Sequence, residues 1–353
     1  MTQKITQYEK PPLAVPFQDK VSLWINFYME TAVSVGESSR QVKSRVLNHF
    51  LIFLVEHVGA DHRPGWPKRI GQAYKEHLCA KDPKTKKRKL ADRTVNNHLR
   101  HVKQFSKWVH KMCEDPRCPF DPRPDGDPMK EIREIALSSP IAVEKALTPQ
   151  EEARMLDAAD LLLHAGRSKD RNRYAGKRPP QRKNYRAYRN RALVYILIGT
   201  GCRIGGVVNL NLDGIDLEGL TITTEEKGGK IHPYTLVKSC AGAIREYLEI
   251  ERPKDASEWP DSPAAFLAAA PNVRSKEGRL TRSMIFKIWK EIAEQAGVKK
   301  SPHAARHAMG HRLVKKENGL AKAKNQLGHT NMATTMCYIQ PTQKEIAADL
   351  ETL

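Results

Sequence analysis

Two arginines in the C-terminal half of this 353-residue chain stand where an arginine can bind an anion. Arg203 follows a Gly-Thr-Gly-Cys turn between two apolar segments, where an arginine either pairs with an acid or binds an oxyanion. Ser301 and Pro302 predict the start of a helix that carries the second, Arg306. His303 precedes Arg306 by one turn, so both lie on one face near a helix N-terminus, which favours anions.

Lysines occur between these arginines at the tip of a predicted β-hairpin. The alternating segments 220–224 and 231–236 flank Glu-Glu-Lys-Gly-Gly-Lys, whose glycines predict the turn. Lys227 and Lys230 lie at that tip. Each either reaches a phosphate or DNA groove or belongs to an ordinary charged turn.

A histidine and a tyrosine follow the predicted helix. His329 comes after Leu-Gly, and Tyr338 is the only tyrosine after Tyr247. A lone tyrosine is usually a core residue, but it becomes a nucleophile when a base removes its proton.

Two other kinds of site are less consistent with these residues. The turn before Arg203 is no dinucleotide loop, because Ile204 stands where the third glycine is required. His303, His307 and His311 share a helical face, but no carboxylate or cysteine lies nearby to complete a metal site. His307 and His311 are therefore interpreted as packing or surface residues, and no cofactor is expected.

The order Arg, Lys, His-x-x-Arg, Leu-Gly-His, Tyr resembles the signature of the tyrosine recombinase family, which includes phage integrases and Xer-like site-specific recombinases. Arg203 and Lys227 are 24 residues apart, and His329 and Tyr338 are 9 apart, intervals typical of that family's catalytic domain. The resemblance covers roughly residues 147–345. The helical segment 17–135 resembles the family's core-binding domain less specifically.

The resemblance implies catalytic roles for six residues: Arg203, Lys227, His303, Arg306, His329 and Tyr338. The two arginines would clamp the scissile phosphate, and the tyrosine would attack it. His303 would accept the tyrosine's proton, Lys227 would protonate the leaving 5′-hydroxyl, and His329 would donate a hydrogen bond to the phosphate.

By the same resemblance the protein is an enzyme that breaks and rejoins DNA through a 3′-phosphotyrosyl intermediate, without metal or ATP. One position departs from the family pattern, because Gly206 stands where many members have an acid, three residues after the first arginine. Two alternatives therefore stay open. They are a catalytically weak DNA-binding protein of the same fold and a type IB-like topoisomerase.

The charge of the chain is consistent with a DNA partner. The net charge is +20, and residues 1–146 and 147–353 are both basic. The six cysteines form no disulfide framework, and no segment is apolar enough to span a membrane, so we expect a cytoplasmic, nucleoid-associated protein.

Two basic segments are the candidates for DNA contact. A helix is predicted to begin at Thr94, with basic residues outside its apolar face, and residues 167–191 hold eleven Lys/Arg against one Asp. That second segment is either a DNA contact or a solvated insertion. The expected DNA-binding residues are Arg93, Arg100, Lys103, Lys107, Arg182, Lys183, Arg186 and Lys230.

The expected fold is mainly α with a small antiparallel β-sheet. It comprises a flexible lead-in (1–18), a helical core-binding domain (19–135), a linker (136–146), a catalytic domain (147–342) and a C-terminal tail (343–353). The tail is predicted to form a short amphipathic helix that packs either on a neighbouring protomer or on its own domain. The resemblance implies a homotetramer acting on two DNA sites with inverted-repeat core sequences. Because only about 18 residues precede the predicted helical domain, we expect a recombinase without an arm-binding domain, either a resolvase of replicon dimers or the integrase of a transposon, plasmid or simple mobile element.

Overall fold

The computed structural model describes residues 14–59, 61–63, 66, 69–121, 126–137, 145–165, 186–226, 228–269, 276–339, 346–347 and 350–351. The chain divides after Ser139 into two compact units. Within the described ranges, no helix combines the length and the apolar character needed to cross a membrane.

The first unit is helical. Its helices are α1 (Val21–Thr31), α2 (Glu37–Val58), α3 (Ile70–Cys79) and α4 (Asp92–Cys113). Its core is rich in aromatic side chains, including the fully buried Trp24, Phe50, Tyr74 and Phe105.

Helix α4 buries the apolar face that its sequence predicts, from Val95 to Val109. It begins at Asp92, two residues before the predicted start, with Ala91 as an extended N-cap. Thr94 therefore lies inside the first turn. An aspartate in that turn is favourable, because the carboxylate faces the positive end of the helix dipole.

The second unit is mainly helical and contains one small sheet. Its helices are α5 (Pro149–Ala165), α6 (Ala187–Thr200), α7 (Ile204–Asn209), α8 (Lys238–Glu246), α9 (Arg252–Ala256), α10 (Arg282–Gln295), α11 (Pro302–Val314), α12 (Gly319–Leu327) and α13 (Met332–Met336), with a π-helical turn at Tyr247–Glu251. Helix α6 is buried throughout 192–198 and forms the centre of this unit's core.

The sheet contains the predicted hairpin. Strands β1 (Ile215–Asp216), β2 (Thr221–Glu226) and β3 (Lys230–Thr235) are antiparallel in that order. Gly228 and Gly229 both have positive φ, the conformation that glycine adopts without strain. Glu226 pairs with Lys230 at the end of the ladder. A mainly α fold with a small antiparallel sheet is thus confirmed.

The start of α5 is fixed by a capping box. The Thr148 amide donates to Glu151 Oε2 (2.8 Å), and the Glu151 amide donates to Thr148 Oγ1 (3.2 Å). Lys300 Nζ donates to the same Glu151 carboxylate and to the carbonyl of Ala146. The loop before α11, the helix of His303 and Arg306, is thereby attached to the start of α5.

Candidate active site

Arg203 lies between two helices of the second unit. Gly201 ends α6 in the left-handed conformation, and Arg203 is the extended N-cap of α7. Its Nη1 donates to Glu226 Oε2 at 3.0 Å, and its side chain is 38% exposed. The guanidinium is therefore held on one side and open to solvent on another.

Arg306 is buried, with 2% exposure. From α11, its Nη1 donates to the Gly201 carbonyl (2.9 Å) and its Nη2 donates to the Leu327 carbonyl. Both acceptors are neutral, so neither cancels its charge. Desolvation and the charge of Arg203 lower its pKa. The carbonyl of Gly201, which Arg306 binds, is two residues before Arg203 in the chain, so the two arginines lie in the same region of the unit.

Tyr338 is also buried, at 4% exposure. Its ring lies nearly parallel to that of His329, with centroids 6.2 Å apart, and edge-on to His307 at 5.7 Å. A Cβ at Gly310 would lie 2.6 Å from the tyrosine ring. Desolvation raises the pKa of Tyr338 to about 12, with Cys337 adding to the rise, although Arg306 and Arg203 act in the opposite direction. The phenol is therefore protonated at neutral pH.

His329 has a fixed orientation beside the tyrosine. Its Nδ1 lies 2.9 Å from Thr335 Oγ1. Desolvation, together with the charges of Arg306 and Arg203, lowers its pKa to about 4. The ring is neutral at pH 7. If the threonine hydroxyl donates to Nδ1, the proton is on Nε2, which can then donate to an anion.

His303 lies at the start of α11, and its ring contacts His307 with centroids 4.6 Å apart. Desolvation by neighbouring protein atoms and the charges of Arg306 and Arg203 lower its pKa, although its side chain is exposed. His307 lies between His303 and Tyr338 in this series of ring contacts. A neutral imidazole accessible to solvent can accept a proton.

The structure thus brings five of the six predicted residues into one region of the second unit. Lys227 lies outside the described residues, as do Arg182 and Lys183. Lys230 is exposed at the start of β3. In the described part of the chain, no group of three or more His, Cys, Asp or Glu side chains is placed to hold a metal ion.

The other DNA-contact candidates differ in their surroundings. Arg93 and Lys107 are exposed on α4. Arg100 pairs with Glu134 at 2.9 Å, and Lys103 Nζ donates to the Ile132 carbonyl at 2.6 Å. These two side chains therefore attach α4 to the segment 132–134.

Arg186, another predicted DNA contact, forms an ion pair within the second unit. Its Nη2 lies 2.6 Å from the Asp255 carboxylate, which is 1% exposed. Its Nε donates to the same carboxylate at 2.8 Å. The guanidinium of Arg186 is thus bound to a buried carboxylate within the unit, and its contact with DNA stays a prediction.

Sequence reasoning missed Glu226, the acid that holds Arg203. The alternation of β2 buries Ile222, Thr224 and Glu226 on one side. A carboxylate at an inward-facing strand position needs a buried partner, and that signal could have identified it. His307 was assigned to packing or surface, and its ring does pack against Tyr338.

The low pKa of His329 predicts a loss of stability in acid. An imidazole with pKa 6.5 when unfolded and about 4 when folded contributes stability above pH 6.5 that is lost as the pH falls toward 4. We expect this group to lower the free energy of unfolding by about 2 kcal/mol between pH 7 and pH 5. Urea denaturation at both pH values should show a smaller pH difference in His329→Asn than in wild type. The same pH difference in both proteins would contradict the prediction.

Comparison with known protein families matches residues 179–345 to the phage integrase family. Among curated proteins, the tyrosine recombinase XerA of Thermococcus kodakarensis is 29% identical over 208 residues, covering 59% of this chain and 62% of that protein. The tyrosine recombinase XerD of Mycobacterium tuberculosis is 32% identical over 152 residues, covering 42% and 47%. The chain therefore matches roughly half to three-fifths of these relatives' lengths.

Solved structures with the same fold cover nearly the whole chain. The XerH site-specific recombinase bound to palindromic difH substrate has a TM-score of 0.67 at 18% identity, covering 98% of this chain and 100% of that one. The Tn1549 transposon integrase in complex with transposon right-end DNA has a TM-score of 0.60 at 14% identity, covering 94% and 99%. These likenesses establish the fold.

Proposed function

We propose that this protein is a site-specific DNA recombinase of the tyrosine recombinase family, since residues 179–345 match the phage integrase family and the curated relatives are tyrosine recombinases. The observation that carries the proposal is the convergence of a buried tyrosine, Tyr338, with Arg203, Arg306 and His329. The combination of two cations, a neutral imidazole and a phenol suits nucleophilic attack on a phosphodiester.

The arginines answer the main difficulty of the reaction, which is the negative charge of the phosphate. Guanidinium groups that bind the non-bridging oxygens neutralise that charge. They also stabilise the further negative charge that develops in the transition state. Arg306 can do so because its two backbone partners leave its charge uncancelled. The Arg203 guanidinium binds Glu226 through Nη1, and its solvent-exposed part is available to bind the phosphate. His329 Nε2 adds a hydrogen bond.

The proposed cleavage step exchanges one phosphoester for another. Tyr338 Oη forms a bond to phosphorus, and the bond from phosphorus to the 5′-oxygen breaks. His303 accepts the phenolic proton, and Lys227 supplies a proton to the departing 5′-oxygen. The products are a 3′-phosphotyrosine and a free 5′-hydroxyl.

The covalent intermediate makes rejoining possible without an external energy source. The phosphotyrosine conserves the ester bond energy, so a 5′-hydroxyl from another DNA strand can reverse the step. ATP is therefore not required, and all proposed groups are side chains of this chain. The proposed pathway ends with two rejoined strands and a regenerated tyrosine.

The first unit is assigned to DNA binding and the second to catalysis. The exposed Arg93 and Lys107 on α4, and Lys230 on the hairpin, are the described residues that support phosphate contacts. The proposed substrate is double-stranded DNA with inverted-repeat core sites, bound by a homotetramer. The proposed location is the cytoplasm, on the nucleoid, and a role in a mobile element is compatible with this chemistry.

A covalent trap tests the function. The protein would be incubated with nicked suicide substrates that carry randomised inverted repeats, in EDTA and without ATP. A DNA adduct stable on a denaturing gel, mapped by mass spectrometry to the peptide containing Tyr338, is the expected result. Tight DNA binding with no adduct would favour the catalytically weak DNA-binding protein instead. Relaxation of a plasmid that lacks recombination sites would favour a topoisomerase.

A further inference from the structure

Glu226 is a buried carboxylate at the end of β2, with 6% exposure. Its Oε2 accepts from Arg203 Nη1 at 3.0 Å, and its Oε1 accepts from the Tyr234 hydroxyl at 2.5 Å. A buried carboxylate is costly unless its oxygens are bonded, and here each oxygen has a donor. Glu226 is therefore held in one orientation by the sheet and presents one oxygen to Arg203.

The space beside Glu226 explains why position 206 is a glycine. A Cβ at Gly206 would lie 2.8 Å from Glu226 Oε1 and 2.8 Å from Cys202 Sγ. Real Cβ atoms essentially never make contacts under 3.0 Å, so a side chain at 206 would require the Glu226 carboxylate and the Cys202 thiol to move from their present positions. The carboxylate from the strand occupies the volume that a side chain on α7 would otherwise fill.

Strand and helix are also connected directly. Thr224 Oγ1, two residues before Glu226 on the same side of β2, donates to the Gly206 carbonyl at 2.7 Å. This bond fixes α7 against β2. Because Arg203 is the N-cap of α7, the backbone of Arg203 and the carboxylate that it binds are set relative to each other.

We propose that Glu226 is a positioning residue that orients Arg203 toward the scissile phosphate, taking over from β2 the task that an acid at position 206 would perform from α7. The proposal rests on the proposed function of the site. A free arginine side chain has many rotamers, and an ion pair on one nitrogen selects among them while leaving the others available to an oxyanion. Glu226 acts on the reaction only through Arg203.

A double-mutant cycle tests this dependence. Glu226→Gln keeps the side-chain volume and a carbonyl oxygen for Tyr234, but removes the charge that binds Arg203. The loss of a charged hydrogen bond is expected to slow adduct formation on a suicide substrate by about 10- to 100-fold, while DNA affinity stays within about twofold. In an Arg203→Ala background, the same substitution should change the remaining rate by less than about threefold. Glu225→Gln, at the exposed neighbouring position, should match wild type.

A variant that moves the carboxylate from β2 to α7 gives a second test. If Glu226 had only a structural role, this variant would not restore the rate of adduct formation. Gly206→Glu returns a carboxylate to the same space from the helix when Glu226→Ala and Cys202→Ala remove the two side chains that it would contact at 2.8 Å. This triple variant should form adduct at least about five-fold faster than the double variant Glu226→Ala, Cys202→Ala. Thermal melting of every variant verifies that it is folded at the assay temperature.

The outcomes separate this proposal from the proposed function. The positioning role is overturned, and the recombinase function stands, if wild type and Glu226→Gln form adduct at the same rate. The same conclusion follows if Glu226→Gln slows adduct formation by the same factor in the Arg203→Ala background as in the wild-type background. If wild type forms no adduct on any substrate, both are overturned.

Discussion

Replacing Tyr338 by phenylalanine is expected to abolish the covalent DNA adduct, with a loss of about 10⁴-fold or more, because no other group can take the place of the nucleophile. DNA affinity should stay within about twofold, since the hydroxyl carries no charge at neutral pH. The phenylalanine ring keeps the packing against Gly310 and His329, so the fold should be retained.

A matched control isolates the effect of the hydroxyl. Tyr195 is a buried tyrosine of α6 whose hydroxyl donates to Asp160. Tyr195→Phe removes one hydroxyl from the same unit and should leave adduct formation within a few-fold of wild type. Adduct formation by Tyr338→Phe at the wild-type rate would show that another residue is the nucleophile.

Arg306→Lys is expected to have the second-largest effect, although it keeps the charge. The guanidinium reaches two carbonyls, Gly201 and Leu327, with separate nitrogens, and a single ammonium cannot reproduce that fork. We expect adduct formation to fall by about 10²- to 10³-fold. One buried carbonyl left without its donor should cost about 1–3 kcal/mol of unfolding free energy.

Arg312 supplies the control for this substitution. It lies on the same helix, and its guanidinium pairs with Glu152. Arg312→Lys keeps a cation for that pair and should change adduct formation by no more than a few-fold. Chemical denaturation of both variants, beside single-turnover cleavage, measures the two losses separately. If Arg306→Lys cleaved DNA at the wild-type rate, the proposed role of Arg306 in binding the scissile phosphate would be wrong.

Local patterns in the sequence predicted the elements that carry the site. The Ser301–Pro302 helix start is confirmed, because it depends on residues within one turn of each other. The Gly-Gly hairpin is confirmed for the same reason. These interactions need no knowledge of distant parts of the chain.

The sequence did not predict interactions between distant residues. Arg186 lies in a basic segment, and this segment predicts DNA contact. Its ion pair with Asp255, 69 residues away, can be recognised only in the folded structure. Glu226 escaped notice because its relation to Arg203 and Gly206 exists only when β2 packs against α7. The missing acid at position 206 was visible in the sequence, whereas its substitute required the fold.

Helix α11 carries Arg306 and, four residues later, Gly310, the surface on which Tyr338 packs. The position of Tyr338 relative to Arg306 therefore depends on the rotation of the helix between Arg306 and Gly310. One residue inserted between Arg306 and Gly310 would rotate one relative to the other by about 100° and leave every functional side chain present in the sequence. A homologous chain with a different number of residues in this interval could retain all six side chains in the same order. Its arginine and its tyrosine would no longer face the same phosphate.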